Sequence, residues 1–160
     1  MTIKEKLISL VIPTYKGAKT LPKLIEELLV RFKDHKIEII IVNDCSPDNT
    51  HEDIKVLLNE HTDKITYLKL SKNFGEHSAI MAGLRHSEGD LVIIMDDDGQ
   101  NPPEEALKLA EFSFKSIHDI IFTKYQIKKD SLIRNSMSKI ANISAELILK
   151  KPKNIYFNSF

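Results

Sequence analysis

The residues best suited to chemistry stand in one short stretch, Asp96-Asp97-Asp98-Gly99-Gln100-Asn101-Pro102-Pro103-Glu104, directly after the apolar run Leu91 to Met95. Adjacent carboxylates at the end of a buried strand project onto the rim of a sheet, where open α/β sheets bind their ligands. Left to themselves they repel one another. A hard divalent cation between them removes the repulsion, and Mg²⁺ in particular is usually held by one or two carboxylates together with substrate phosphates. The step predicts a metal–phosphate site.

Other polar clusters follow other apolar runs. Pro13-Thr14-Tyr15-Lys16-Gly17 offers hydroxyls, backbone groups and an aromatic face that could hold a nucleobase, and it also has the composition of an ordinary strand-to-helix turn. In Asn43-Asp44-Cys45-Ser46-Pro47-Asp48, Asp44 is placed to accept hydrogen bonds from a base or ribose, or to close a turn on its own backbone, and Asp48 to cap a helix. Ser71-Lys72-Asn73-Phe74-Gly75 then runs into a helix of small residues that permit close backbone approach. There Gly75 could turn amides toward a phosphate and Lys72 would add positive charge, without a full phosphate-loop pattern. His77 has no second histidine at zinc-like spacing, so a zinc site is rejected. Met81 and Met95 are expected to fill the core.

The elements that must position these residues alternate between strand-length apolar runs and amphipathic stretches, the pattern of a parallel sheet covered by helices. Strands are expected at Leu7 to Ile12, Ile37 to Val42, Ile65 to Leu70, Leu91 to Met95 and Asp119 to Thr123. Their nearly continuous apolar character suits burial on both faces. Leu21 to Phe32 puts Leu21, Leu24, Ile25, Leu28 and Leu29 on one helical stripe. Asp48 precedes a helix over Glu52 to Glu60, and Pro102-Pro103 begins one running to about Ser116. Ser131 to Lys150 also has apolar residues near helical spacing. The order of the strands is not readable.

With 160 residues, 42% of them hydrophobic, residues 1–160 are expected to form a single domain. Lys plus Arg and Asp plus Glu are both 23, so no global field draws in nucleic acid or an anionic membrane. The single Cys45 excludes an intrachain disulfide framework and fits a reducing, cytoplasmic setting. Met1 to Lys6 lacks the apolar segment of a signal peptide, and no apolar run approaches the roughly 20 residues of a spanning helix.

Taken together, Val11-Ile12-Pro13-Thr14-Tyr15, Val42-Asn43-Asp44-Cys45-Ser46, Lys72-Asn73-Phe74-Gly75 and the stretch Asp96 to Glu104 resemble a family 2 glycosyltransferase. The segment Asn73 to Gly89 and the Gln-Asn-Pro-Pro-Glu tail most resemble its polyprenyl-phosphate members, such as dolichol-phosphate mannosyltransferases and undecaprenyl-phosphate sugar transferases. The resemblance implies a GT-A (Rossmann-like) fold, a mostly parallel sheet flanked by helices. It also implies an inverting, metal-dependent transfer of a sugar from a nucleotide-sugar donor to a polyprenyl phosphate in cell-envelope glycan synthesis. Pro13, Thr14, Tyr15 and Asp44 would hold the nucleoside, with Lys72, Asn73 and Gly75 also on the donor side. Asp96 and Asp98 would be the outer members of an Asp-x-Asp motif, joined by Gln100 at Mg²⁺ or Mn²⁺. Asp98 would thereby be catalytic, and Asp97 would face the ribose or sugar, where relatives often carry a small residue.

A polyprenyl phosphate is already an anionic nucleophile and needs steering rather than deprotonation. Lys124 and Arg134 are the candidates for that role, and the same cations could equally form an ordinary solvated basic surface with Lys128 and Lys129. Lys124 stands where relatives commonly carry Arg, which replaces a bidentate fork by a point charge. A UDP-sugar is preferred over a GDP-sugar. Because relatives continue well past Phe160, the C-terminal part of the domain is expected to be missing. Apolar surface left by that shortfall would favour homo-oligomers through the C-terminal segment. Action at the cytoplasmic face, with peripheral membrane contact, is the family setting. Alternatives are a non-catalytic sugar-nucleotide-binding module and a family 2 transferase with a sugar hydroxyl acceptor. A phosphoacceptor receiver domain fits the strand–helix alternation but explains neither the Pro-Thr-Tyr loop nor the Asn-Pro-Pro-Glu tail.

Overall fold

The computed structural model describes residues 5–61, 63–99 and 101–123. The chain divides into two compact units, Met1–Ile120 and Ile121–Phe160, and every element below belongs to the first. In chain order these are β1 (Leu7–Thr14), α1 (Leu21–Arg31), β2 (Lys36–Asn43), α2 (Thr50–Glu60), β3 (Ile65–Lys69), α3 (Glu76–His86), β4 (Leu91–Ile94) and α4 (Pro103–Ser113). The four strands form one sheet in the order β3-β2-β1-β4, and each adjacent pair is parallel.

Alternation along the strands builds two cores. Ile8, Leu10, Ile12, Ile37, Ile39, Ile41 and Ile93 pack with Leu21, Leu24, Ile25 and Leu28 of α1, Ile54 and Leu57 of α2, and Ala106 and Ala110 of α4. The residues between them, Val11, Ile40 and Val42, pack with Ala79 of α3. Successive side chains point to opposite faces of a strand, so α3 covers one face and the other helices cover the other. The chain steps outward from β1 to β2 to β3, then returns through α3 to place β4 on the far side of β1. Reversing direction while keeping the crossover right-handed requires that change of face.

Small residues let α3 lie close to the sheet. A Cβ on Gly83 would come within 3.2 Å of Val42 Cγ2 and would overlap Val11 Cγ1. Met81, expected in the core, is instead 54% exposed. It lies two residues from both Ala79 and Gly83, the buried positions of α3, and so turns away from the sheet. Met95 is buried as expected.

Two further expectations change. Residues 119–123 form no strand, and Ile120 and Phe122 are 73% and 90% exposed. A β run needs a ladder to satisfy its backbone, and the described residues supply none beside this segment. Helix α4 ends at Ser113 rather than near Ser116, because the chain tightens there: the amides of Lys115 and Ser116 bond three residues back, to Phe112 and Ser113. The expected helix at Ser131 to Lys150, the C-terminal contact segment, Gln100, Lys124 and Arg134 lie outside the described residues.

Candidate functional site

The loops after β1, β2, β3 and β4 leave the same edge of the sheet, and polar side chains link them in series. Thr14 closes β1 and is buried. Its carbonyl accepts the Asp44 amide at 2.9 Å, and its hydroxyl donates to Asp97 Oδ2. Asp44, 3% exposed, receives the amides of Phe74 on Oδ1 and Gly75 on Oδ2, both at 2.8 Å. One carboxylate thereby holds the loop that opens α3. Glu76, the first residue of α3, lies near enough to Asp96 to raise its proton affinity. Hydrogen bonds thus run from the Phe74–Gly75 turn to Asp44, to Thr14, and on to Asp97 of the acidic step.

The β1–α1 loop is shaped by three local facts. Lys16 adopts a left-handed backbone (φ 64°), and its amide donates to Ser46 Oγ at 3.0 Å, tying this loop to the one after β2. Gly17 gives its carbonyl to the amides of Thr20 and Leu21, which starts α1. A Cβ on Gly17 would collide with Thr14 Oγ1 and Asp97 Oδ2, so only glycine lets the loop close there. Tyr15 is half-exposed, with Lys16 Nζ 5.3 Å from its ring centroid. An open depression of about 630 Å³, lined by Lys16, Ala18, Lys19, Asp48, Asn49 and Asp53, adjoins the loop.

Behind the β2 loop, Asn43 is fully buried at the strand end. Its Oδ1 accepts the Ser46 amide at 2.8 Å, while its Nδ2 donates to the Tyr67 hydroxyl at 3.0 Å. That hydroxyl also lies 2.8 Å from His51 Nδ1. Burial pushes the Tyr67 phenol up from its ordinary value. Asp48 meets the amide of Thr50 at 3.3 Å and its hydroxyl at 2.5 Å, so it serves the start of α2 as expected from one position before the formal cap, Asn49.

The acidic step begins at the topological switch point, where the chain enters β2 on one side of β1 and β4 on the other. Burial, reinforced by Asp98, Glu76 and Asp97, pushes the Asp96 carboxyl up to about 6. Burial raises Asp97 as well, with the Thr14 hydrogen bond opposing and Asp98 adding to the rise. Asp98 is exposed, and Gly99 turns the chain with φ 76°. Beyond it, Pro103 is buried at the start of α4, and Glu104 pairs with Arg31 at the end of α1 at 2.9 Å.

The structure therefore gathers Pro13, Thr14, Asp44, Asp96 and Asp97 by strand register and shared hydrogen bonds. The Gly75 amide, which the sequence suggested for a phosphate, is committed to Asp44 and to Asn73 Oδ1 at 3.1 Å. Lys72 is exposed, its Nζ 5.0 Å from the Phe74 ring centroid. Among the described residues, no group of three or more His, Cys, Asp or Glu side chains stands ready to surround a metal ion. The donor set still suits a hard cation. It consists of carboxylate oxygens at a site whose proton affinity is raised first by burial and then by the neighbouring carboxylates, and a divalent ion relieves the second of these. Sequence reasoning missed Tyr67 and His51, which brace Asn43 behind the rim, and the nearness of Glu76 to Asp96. Only Glu76 had a usable signal, as an acidic residue in the first turn of a helix facing the acidic step.

This parallel sheet, with its acidic step leaving the strand beside β1, defines the GT-A class of fold. S. aureus TarS in complex with UDP is similar over 77% of this chain and 39% of its own, with a TM-score of 0.58 and 21% identity. The mannosyltransferase PcManGT from Pyrobaculum calidifontis, in complex with GDP-Man and Mn²⁺, is similar over 58% of this chain and 28% of its own, with a TM-score of 0.52 and 22% identity. The model of glycosyl transferase family 2 matches residues 9–159, and the chain belongs to that family. The undecaprenyl-phosphate 4-deoxy-4-formamido-L-arabinose transferase of Yersinia enterocolitica is 37% identical over 155 residues, which cover 96% of this chain and 47% of that protein. Its counterpart in Proteus mirabilis is 36% identical over 146 residues, 89% of this chain and 44% of that protein. The chain spans about half the length of the curated relatives it matches.

Proposed function

We propose that this chain carries the donor site of an inverting glycosyltransferase that moves a sugar from a nucleotide-sugar to a polyprenyl phosphate in cell-envelope glycan synthesis. The observation that carries the reading is the rim itself, where Thr14, Asp44 and the Asp96–Asp97 step are linked at the switch point of a family 2 fold. Tyr15 offers its half-exposed ring to the base, and Pro13 and Thr14 hold the loop beneath it. Asp44 contributes by fixing the Phe74–Gly75 turn and the end of β1. Asp96 and Asp98 are the residues that would hold Mg²⁺ or Mn²⁺, with Gln100 beside them and phosphate oxygens completing the ligands. When bound, the cation neutralises charge that develops on the departing nucleotide diphosphate.

The acceptor supplies its own nucleophile. A phosphate oxygen forms a bond to the anomeric carbon on the face opposite the leaving group, as the bond from that carbon to the diphosphate oxygen breaks. Lys124 and Arg134 steer the acceptor phosphate. The curated relatives named as undecaprenyl-phosphate transferases support this acceptor class. A UDP-sugar donor, a site at the cytoplasmic face with peripheral membrane contact, and a single domain over residues 1–160 belong to the same reading. No helix among the described residues is long and apolar enough to cross a membrane.

Calorimetric titration of UDP and GDP with and without Mn²⁺, repeated on Asp98→Ala, tests the donor site. One nucleotide should bind more tightly with metal, and Asp98→Ala should remove the gain. Absence of nucleotide binding, or binding indifferent to metal, refutes the reading. Transfer to polyprenyl phosphate from labelled donor tests the acceptor half. Failure there with nucleotide binding intact selects a sugar-nucleotide-binding module.

A further inference from the structure

Asp97 is the member of the acidic step whose role neither the metal nor the diphosphate requires. Its Oδ2 accepts the Thr14 hydroxyl, and the Cα of Gly17 sits where any side chain would strike both groups. Thr14 and Gly17 belong to the loop that receives the nucleoside in the reading above. Asp97 lies between Asp96 and Asp98, the proposed metal ligands. Thr14 is 2% exposed, so its hydroxyl is a buried donor whose partner is this carboxylate, and buried donors are costly to leave unmade. The contact spans 83 residues of sequence and joins the two loops that diverge at the switch point.

From this geometry we infer that Asp97 is a positioning residue that latches the nucleoside loop, through Thr14 and Gly17, to the metal-binding step, so that metal binding and nucleoside binding favour each other. The inference rests on the donor-site reading above. Two ligands cooperate when each stabilises the same arrangement of a shared element, and the coupling is reciprocal. Here the shared element is the closed β1–α1 loop. A cation that orders Asp96 and Asp98 fixes the backbone of Asp97 between them. The Asp97 carboxylate then holds Thr14, and Gly17, having no Cβ, lets the loop pack against both groups. Without the latch, metal and nucleotide still meet through the diphosphate, but residues 15–18 no longer respond to the metal.

Two measurements on the full chain test this. The first needs no nucleotide: amide hydrogen exchange of residues 15–18 with and without Mn²⁺. Mn²⁺ should slow exchange there in the unmodified protein and leave it unchanged in Asp97→Ala and Thr14→Val. Thr14→Ser, which restores the hydroxyl, should regain the response. Equal exchange with and without Mn²⁺ in the unmodified protein overturns the latch, even if UDP binds as proposed. The second is the Mn²⁺-induced gain in UDP affinity. Asp97→Ala and Thr14→Val should each reduce that gain about fivefold, the lower end of typical site-to-site couplings. The double variant should lose no more than either single one. Additive losses overturn the latch, as does a loss of nucleotide-free Mn²⁺ affinity in Asp97→Ala as large as that in Asp98→Ala, which would make Asp97 a direct ligand. Failure of UDP and GDP to bind removes the donor reading, and the exchange experiment still decides whether the two loops are coupled.

Discussion

Removing the charge of Asp96 should stabilise the metal-free protein while abolishing the metal binding proposed for this carboxylate. Burial and the neighbouring carboxylates Asp98, Glu76 and Asp97 raise this carboxyl from 3.8 to about 6. The folded chain therefore binds the Asp96 proton more tightly than the unfolded chain does. Below about pH 4 both states are protonated and the group is neutral in effect. As pH rises from there to about 6 the unfolded chain loses its proton first, and stability falls. Above about 6 the penalty is complete. A shift of about two pH units corresponds to a ceiling of roughly 3 kcal/mol, at about 1.4 kcal/mol per unit. Asp96 is only partly buried, so solvent screening reduces this to about 1–1.5 kcal/mol. For a chain of this size that is a rise in Tm of about 2–6 °C. Asp96→Asn, melted in the presence of a chelator, should gain this increment at pH 7.5 and lose most of it at pH 4.5. Mn²⁺ should then raise the Tm of the unmodified protein and not that of the variant. An Asp96→Asn protein that melts lower at pH 7.5, or gains equally at both pH values, refutes the electrostatic argument.

Gly83→Ala should destabilise by about 1–3 kcal/mol in chemical denaturation, because the overlap with Val11 Cγ1 outweighs the roughly 1 kcal/mol that alanine gains in helix propensity. Asp44→Asn keeps one acceptor oxygen for two amides, Phe74 and Gly75, and should cost about 1–3 kcal/mol by the same assay while loosening amide exchange at residues 74–76. Tyr67→Phe leaves Asn43 Nδ2 and His51 without their shared hydroxyl. It should cost about 1 kcal/mol. Gly17→Ala should weaken UDP binding more than it lowers Tm, since its collision falls on Thr14 and Asp97 at the rim.

The four strands and four helices of the first unit were legible because each carries its own signal. Nearly continuous apolar runs mark β1 and β2, buried on both faces at the centre of the sheet, while the edge strands β3 and β4 are only partly buried; the Leu21 to Leu28 stripe marks α1. Strand order was not legible, since runs as alike as Ile37 to Val42 and Leu91 to Met95 bear no mark of which neighbour they pair with. The segment Asp119 to Thr123 misled for a related reason: a strand requires a partner as well as a composition. In the site, types and spacing located the acidic step and the Pro13-Thr14-Tyr15 loop. They could not distinguish Asp97 from its neighbours, because what separates three adjacent carboxylates is the backbone turn that aims one of them at Thr14. Asp44 was recognised as a rim residue, but its two bonds to the amides of Phe74 and Gly75 depend on how low α3 lies on the sheet.

That height has a lever. Gly83 lies near the C-terminal end of α3, two turns from Glu76 at the other end. A rigid helix transmits a displacement at one end to the other, so added side-chain bulk at position 83 would tilt α3 and shift the Phe74–Gly75 turn relative to Asp44. The absence of a side chain at Gly83 thus lets α3 sit against Val11 and Val42, at a distance from the rim. Graded substitution at position 83 would therefore alter the rim through the Phe74–Gly75 turn while leaving the identity of every site residue unchanged.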